Sequence, residues 1–302
     1  MPADYFECRE IKDFSDLLDA GLELSDEAIR QKTRWIYRGE RQLFPYLMTS
    51  LERACLELYD EFPADNMRNL ERKIVREFKR RLHHYTNDMP HKDDLYEWLA
   101  LMQHYEAPTR LLDWTYSFFV AVYFAVEYAE ADKPCGVWAL RMNSFDPNDR
   151  SADQVLREVK RSACRIYKRR FLKIPAIQDR PWLNQLAILN YLFHHPKPLV
   201  LAVNPFRLNE RLTVQQGVFL TPGDISKPFH ANLMEHPNLP EKLIRFRIQM
   251  NDENQREFLR QLHNMNISRA SLFPGLEGFA RSLRTRLAIP ETMSHHEGGT
   301  HS

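Results

Sequence analysis

Glycine is scarce in this 302-residue chain, with only 9 residues, and they form neither a GxGxxG nor a GxxxxGK[ST] pattern. That sets aside the common dinucleotide and P-loop folds, whose phosphate-cradling turns need those glycines. Four cysteines, Cys8, Cys55, Cys135 and Cys164, stand far apart, with no CxxC pair and no histidine at zinc-finger spacing, so they read as reduced thiols. There is no HExxH helix and no GxSxG elbow, and the adjacent pairs His83–His84 and His194–His195 diverge in direction. No metal site and no acyl-transfer nucleophile is expected. Long apolar runs are missing too: 117–131 is interrupted by Ser117, Tyr123, Glu127 and Tyr128, and MPADYFECRE has no signal pattern. A cytoplasmic protein without membrane contact is the expectation. Finally, the chain lacks net charge, at +1, which argues against a strongly polyanion-directed protein.

That balance hides two basic stretches, 68–81 (RNLERKIVREFKRR) and 157–173 (REVKRSACRIYKRRFLK). In the first, Leu70, Ile74, Phe78 and Leu82 recur every four residues, which predicts a helix with one apolar face and a basic outer face. Such a face is either solvated or a contact surface for nucleic acid or a protein acceptor. The composition, 43% hydrophobic and 12% aromatic, can supply a full core. No linker or repeat appears before about residue 290, so 1–289 is expected to form one compact domain with helical insertions, and PETMSHHEGGTHS (290–302) a disordered tail.

Periodicity predicts helices at 10–20, 25–33, 48–60, 68–85, 93–105, 117–131, 153–171, 181–194, 254–265 and 273–287. Strands are predicted at 34–39, 136–142, 199–204, 213–220 and 243–250, with TRLLDWT (109–115) a strand or turn. Strands fall late and irregularly, so the fold class is α+β: a mixed, mostly antiparallel sheet of five or six strands surrounded by many helices.

The densest polar cluster lies in QHYEAPTRLLDWTYSFFVAVYFA (103–125), directly before an apolar helix. A helix N-terminus suits negative charge, and Thr115 and Ser117 are natural caps there. Thr109, Arg110 and Asp113 either form a closed network, with Arg110 to Asp113 at its core, or face a ligand. WIYRGE ends a strand in Arg38–Gly39: a guanidinium able to grip phosphate or carboxylate, beside a residue a ligand can approach closely, or else a structural arginine pairing with Glu40 or another acid. In TVQQGVFL, Gln215 and Gln216 would point to opposite faces of a strand, and Gly217 suggests a bulge or a close backbone approach.

Together, WIYRGE, LALMQHYEAPTRLLDWTYSFFVAVYFA, LTVQQGVFLTP and ISRASLFPGLEGFARSL resemble the FRG domain family of bacterial proteins, over residues 11–288. That family usually carries glycine where this chain has Glu106, so the turn there is expected to be capped differently. A weaker likeness, in the Tyr-Arg-Gly strand, the Ser/Thr-bearing strand before a helix and the late glutamine, is to ADP-ribosyltransferase-like folds. It implies that Arg38 holds NAD phosphates, Thr115 a ribose hydroxyl, and Gln215 matches the Gln of a Gln-x-Glu element whose Glu is replaced by Gly217. Asp113 or Glu277 would then have to supply the carboxylate.

These resemblances imply a nucleotide cleft in which Arg38, Asp113 and Thr115 are catalytic. Tyr37, Gly39, His104, Tyr105, Thr109, Arg110, Trp114, Gln215 and Gln216 would bind substrate, with Tyr37, Tyr105 or Trp114 stacking on a ring. NAD would be the substrate and no cofactor is required; a role in bacterial antiviral defence or toxin biology fits the family. The alternatives are an inactive nucleotide or nucleic-acid sensor, favoured by the missing Glu, and a nuclease using His104 and Asp113.

Overall fold

The structure, a computed structural model, describes residues 5–146, 149, 152, 154–168, 171–173, 183–204, 210–236 and 239–286. The expected tail at 290–302 lies outside them.

Short strands, the central ones buried along nearly their whole length, build a seven-stranded sheet rather than one of five or six: β1 (Glu7–Ile11), β2 (Trp35–Glu40), β3 (Leu112–Thr115), β4 (Cys135–Arg141), β5 (Val200–Val203), β6 (Gly217–Pro222) and β7 (Leu243–Ile248). The order is β1-β7-β4-β2-β3-β6-β5, with β1 and β7 parallel and every other pair antiparallel. Sequence reading misses β1, because ECREI is a short edge strand rich in charge, a composition that strands on the rim of a sheet carry.

Twelve α-helices surround the sheet among the described residues: α1 (Phe14–Gln31), α2 (Ser50–Tyr59), α3 (Met67–Arg81), α4 (Leu95–His104), α5 (Phe118–Val126), α6 (Gln154–Ala163), α7 (Leu183–His194), α8 (Glu210–Val214), α9 (Phe229–Met234), α10 (Asp252–Asn264), α11 (Arg269–Leu272) and α12 (Leu276–Arg286). The two helices expected at 10–20 and 25–33 are one, α1, because its Gly21 stays helical and packs against Phe118. The strand expected at 213–220 begins only at Gly217. Residues 210–214 coil into α8, and Gln215 and Gln216 form the turn, Gln216 taking φ 50°.

One apolar cluster joins β2, β4 and β7 to α1, α5 and α10; a second lies under Ile36, Trp114, Trp138 and Leu140 on the opposite face. Helix α5 is almost wholly buried, as its apolar run predicts, and Ser117 caps it by accepting from the Val120 N–H. Gly39 is where α5 comes closest: a Cβ there would stand 2.1 Å from the Ala121 carbonyl oxygen. The glycine of the Tyr-Arg-Gly motif thus makes room for a helix backbone.

Glu52 closes a capping box on α2 with Thr49, and its other carboxylate oxygen accepts from the Phe229 N–H at the start of α9. Burial pushes this carboxyl up from 4.5 to about 7, against the opposing pull of those N–H groups. A folded-state pKa above the unfolded one binds the proton more tightly in the fold. Its stabilisation is therefore complete below about 4.5 and is lost as pH rises through about 7. Urea titrations from pH 4 to 8 should show wild-type stability falling relative to Glu52→Gln across that window, and a flat difference would remove Glu52 as the cause.

Candidate functional site

The centre of the sheet is where the two halves of the sequence signature meet. Strands β2 and β3 pair only at Tyr37 with Thr115, although β4 pairs with β2 along all six of its residues and β6 with β3 along all four. From Arg38 onward the β2–β3 ladder stops, and a cavity of about 700 Å³ opens there. Its walls come from β2, β3, α4 with the turn after it, Phe124 of α5, and Arg211, Leu212, Gln215, Gly217 and Phe219.

Arg38 stands at the break. Its Nη1 donates to the Asp113 carbonyl oxygen at 2.7 Å, while Nε is buried and has no acceptor. Burial lowers its pKa, opposed by the charges of Asp113 and Glu40. Among the described residues it does not form an ion pair with Glu40, whose carboxyl is buried. Asp113 is exposed at the cavity wall, and its Oδ2 accepts from Gln103 Nε2 at 2.7 Å.

His104 and Tyr105 line the same cavity, Tyr105 64% exposed and edge-on to the His104 ring. Partial burial and the nearby Arg211 charge lower the His104 pKa, favouring the neutral imidazole. Arg211 is held in turn over the Phe273 ring at 4.6 Å. Glu106 follows α4 in the left-handed region, φ 60°, and its N–H bonds the Gln103 carbonyl oxygen while that of Ala107 bonds Met102. The glycine that the resemblance places here would take this conformation freely: the turn is a left-handed helix stop on which this chain places a side chain. Glu106→Gly should raise folding stability by about 1 kcal/mol, checked by chemical denaturation.

Several expected site residues are engaged elsewhere. Arg110 does not pair with Asp113: it forms a bidentate ion pair with Glu71 of α3, both fully buried, and lies over the Phe193 ring. Thr109 is buried beneath the cavity, bonded to Gln103 and Ser50. Tyr37 borders the cavity, but its ring is buried edge-on against Phe118. Trp114 borders the cavity as well, but its side chain is buried in the cluster on the other sheet face. Tyr105 is the exposed ring at the cavity wall.

Thr115 keeps its hydroxyl inside the chain, donating to the Gln215 carbonyl oxygen at 2.6 Å and accepting from the Ser117 N–H. Gln215 spends its side-chain amide on the Leu272 carbonyl oxygen, and Gln216 is exposed in the turn. Gly217 makes room for Leu212, 2.2 Å from where its Cβ would be, so its close neighbour is again the protein itself. Glu277 is paired with Arg281 on α12 and is absent from the cavity wall.

Sequence reasoning missed Gln103, Arg211 and Phe124. Gln103 opens the quoted motif, on the last turn of α4, and its place beside a run of polar positions was the available signal. Arg211 precedes the late motif and carried none. On the basic helix α3, Arg80 and Arg81 pair with Glu77, Lys79 bonds the Lys92 carbonyl oxygen, and Lys73 and Arg76 are exposed.

Among the described residues no group of three or more His, Cys, Asp or Glu is placed to hold a metal ion, and no helix is long and apolar enough to cross a membrane. Comparison with curated proteins and with solved structures finds no match. Residues 33–134 match the model of the FRG domain, a span that runs from just before β2 to just before β4. It includes both sides of the β2–β3 break, with Arg38, Gln103, His104 and Asp113, while the wall at 211–219 lies beyond it. Residues 33–134 are thus similar to the FRG domain, and Arg38, Gln103, His104 and Asp113 of that span gather around the opening in the central sheet.

Proposed function

We propose that the cavity binds a phosphate-bearing nucleotide, and that its reaction is cleavage of the glycosidic bond of NAD. The observation that carries this reading is the guanidinium of Arg38. One nitrogen is fixed by the Asp113 carbonyl oxygen, and the Nε–Nη2 edge takes no acceptor among the described residues. That edge is the fork that grips an oxyanion through two parallel bonds. A volume of about 700 Å³ suits a nucleotide, and exposed Tyr105 offers a ring for a base or nicotinamide.

Asp113 is the carboxylate for the reaction. When the bond between nicotinamide nitrogen and ribose carbon breaks, the electron pair leaves with nicotinamide and positive charge develops on the ribose. An ionised carboxylate at the wall stabilises that charge until water or another nucleophile adds and releases a proton. The ribose-holding role implied for Thr115 is not supported, because its hydroxyl is already engaged on both sides.

A second reading, a sensor that binds nucleotide without turnover, is favoured by Gly217 standing where the ADP-ribosyltransferase likeness expects a carboxylate. Incubating the protein with NAD and following free nicotinamide, beside calorimetric titration of NAD, separates the two. Release above the protein-free rate supports cleavage. Binding without release supports the sensor, and no binding removes the nucleotide reading.

A further inference from the structure

Asp113 is held by a chain of hydrogen bonds that can run in one direction only. The Leu111 N–H donates to Thr109 Oγ1 at 3.1 Å, so that hydroxyl is left to donate onward, to Gln103 Oε1 at 2.5 Å. Ser50 Oγ, which accepts from the Thr109 N–H at 3.0 Å, reaches the same Gln103 oxygen at 3.4 Å. An amide whose oxygen is claimed by a hydroxyl donor must turn its NH2 the other way, and there Nε2 meets Asp113 Oδ2 at 2.7 Å. Arg38 pins the Asp113 backbone from the other side through its carbonyl oxygen.

We infer that Gln103 and Thr109 are positioning residues for Asp113: the Thr109 hydroxyl locks the Gln103 amide in the orientation whose NH2 holds Oδ2, leaving Oδ1 to face the ligand. Among the described residues Oδ1 takes no hydrogen bond, and Asp113 is exposed at the cavity. A carboxylate with one oxygen tethered and one open presents its charge in a fixed direction, which pre-organisation for a developing cation requires. It also makes Asp113 harder to swing away, because the tethered oxygen is engaged as an acceptor. This inference rests on the proposed role of Asp113 for its consequence in turnover, while the amide lock itself is testable without any substrate.

The test combines two measurements on full-length protein. In the first, glutamine side chains are labelled with 15N, and the Gln103 NH2 signal is assigned by its loss in Gln103→Met. The lock predicts that this signal shifts in Asp113→Asn, shifts again in the isosteric Thr109→Val, and returns to the wild-type position in Thr109→Ser. An unchanged signal in both Asp113→Asn and Thr109→Val overturns the inference, as does a Thr109→Ser signal matching Thr109→Val while its thermal unfolding matches wild type.

The second measurement is steady-state NAD cleavage. Thr109→Val should lower kcat about tenfold, with KM within about twofold, and Thr109→Ser should restore it. A loss confined to KM overturns the positioning role. If wild type releases no nicotinamide, the cleavage reading fails and the amide signals alone decide on the lock.

Discussion

Glu71→Ala is expected to cost about 3–5 kcal/mol of folding free energy. Glu71 and Arg110 have side-chain exposures of 0% and 3%, so removing the carboxylate strands a guanidinium in the interior. Its remaining neighbour of note, the Phe193 ring at 5.5 Å, attracts a cation weakly and cannot replace two charge-assisted bonds. The cost is that of the orphaned charge rather than the worth of the pair. Removing both partners, as Glu71→Leu with Arg110→Met, should therefore recover most of the loss. A double-mutant cycle in urea measures the coupling, and two additive single losses would show that the two side chains do not act as a pair. Catalysis should suffer only through the fraction folded, because neither residue lines the cavity.

Arg38→Ala should leave the fold nearly as stable as wild type while lowering nucleotide affinity about a hundredfold, or ~2.7 kcal/mol. The residue is half-buried and makes one side-chain hydrogen bond, to the Asp113 carbonyl oxygen, so its structural share is small. Its ligand share is larger, because an oxyanion across Nε and Nη2 would form two charge-assisted bonds in a partly dry site. Arg38→Lys separates charge from geometry. A point charge cannot occupy two parallel positions, so lysine should restore less than half of the lost binding free energy. Calorimetric titration with NAD reads all three proteins, and equal affinity for wild type and Arg38→Ala would remove Arg38 as the phosphate clamp.

Much of this site could be read from the sequence, because local physics dictated it. Gly39 after a β-branched and aromatic run, Pro108 after a helix, and an apolar stretch behind Ser117 each specify their element within a few residues. The meeting of Arg38 with the 103–115 segment was also legible, since two motifs seventy residues apart were both polar where their neighbours were apolar. What stayed hidden was long-range. The row Leu70, Ile74, Phe78 and Leu82, each four residues from the next, marks a helix face, yet the buried residues of α3 are Met67, Glu71 and Val75, one position over. Nothing local announces that Glu71 turns inward; that choice depends on Arg110, 39 residues later. The same holds for Thr115, whose hydroxyl donates its hydrogen bond to the carbonyl oxygen of Gln215, 100 residues on.

Gly39 contributes to the site by what it lacks. Residues Ala121 and Ala125 of α5 press their backbone against it, 2.1 and 2.6 Å from where a Cβ would be, and Phe124 between them forms part of the cavity wall. One methyl group at position 39 would have to lift that turn of helix off the strand, carrying the Phe124 ring with it. The bore of the cavity on that side is therefore gauged by a single hydrogen atom.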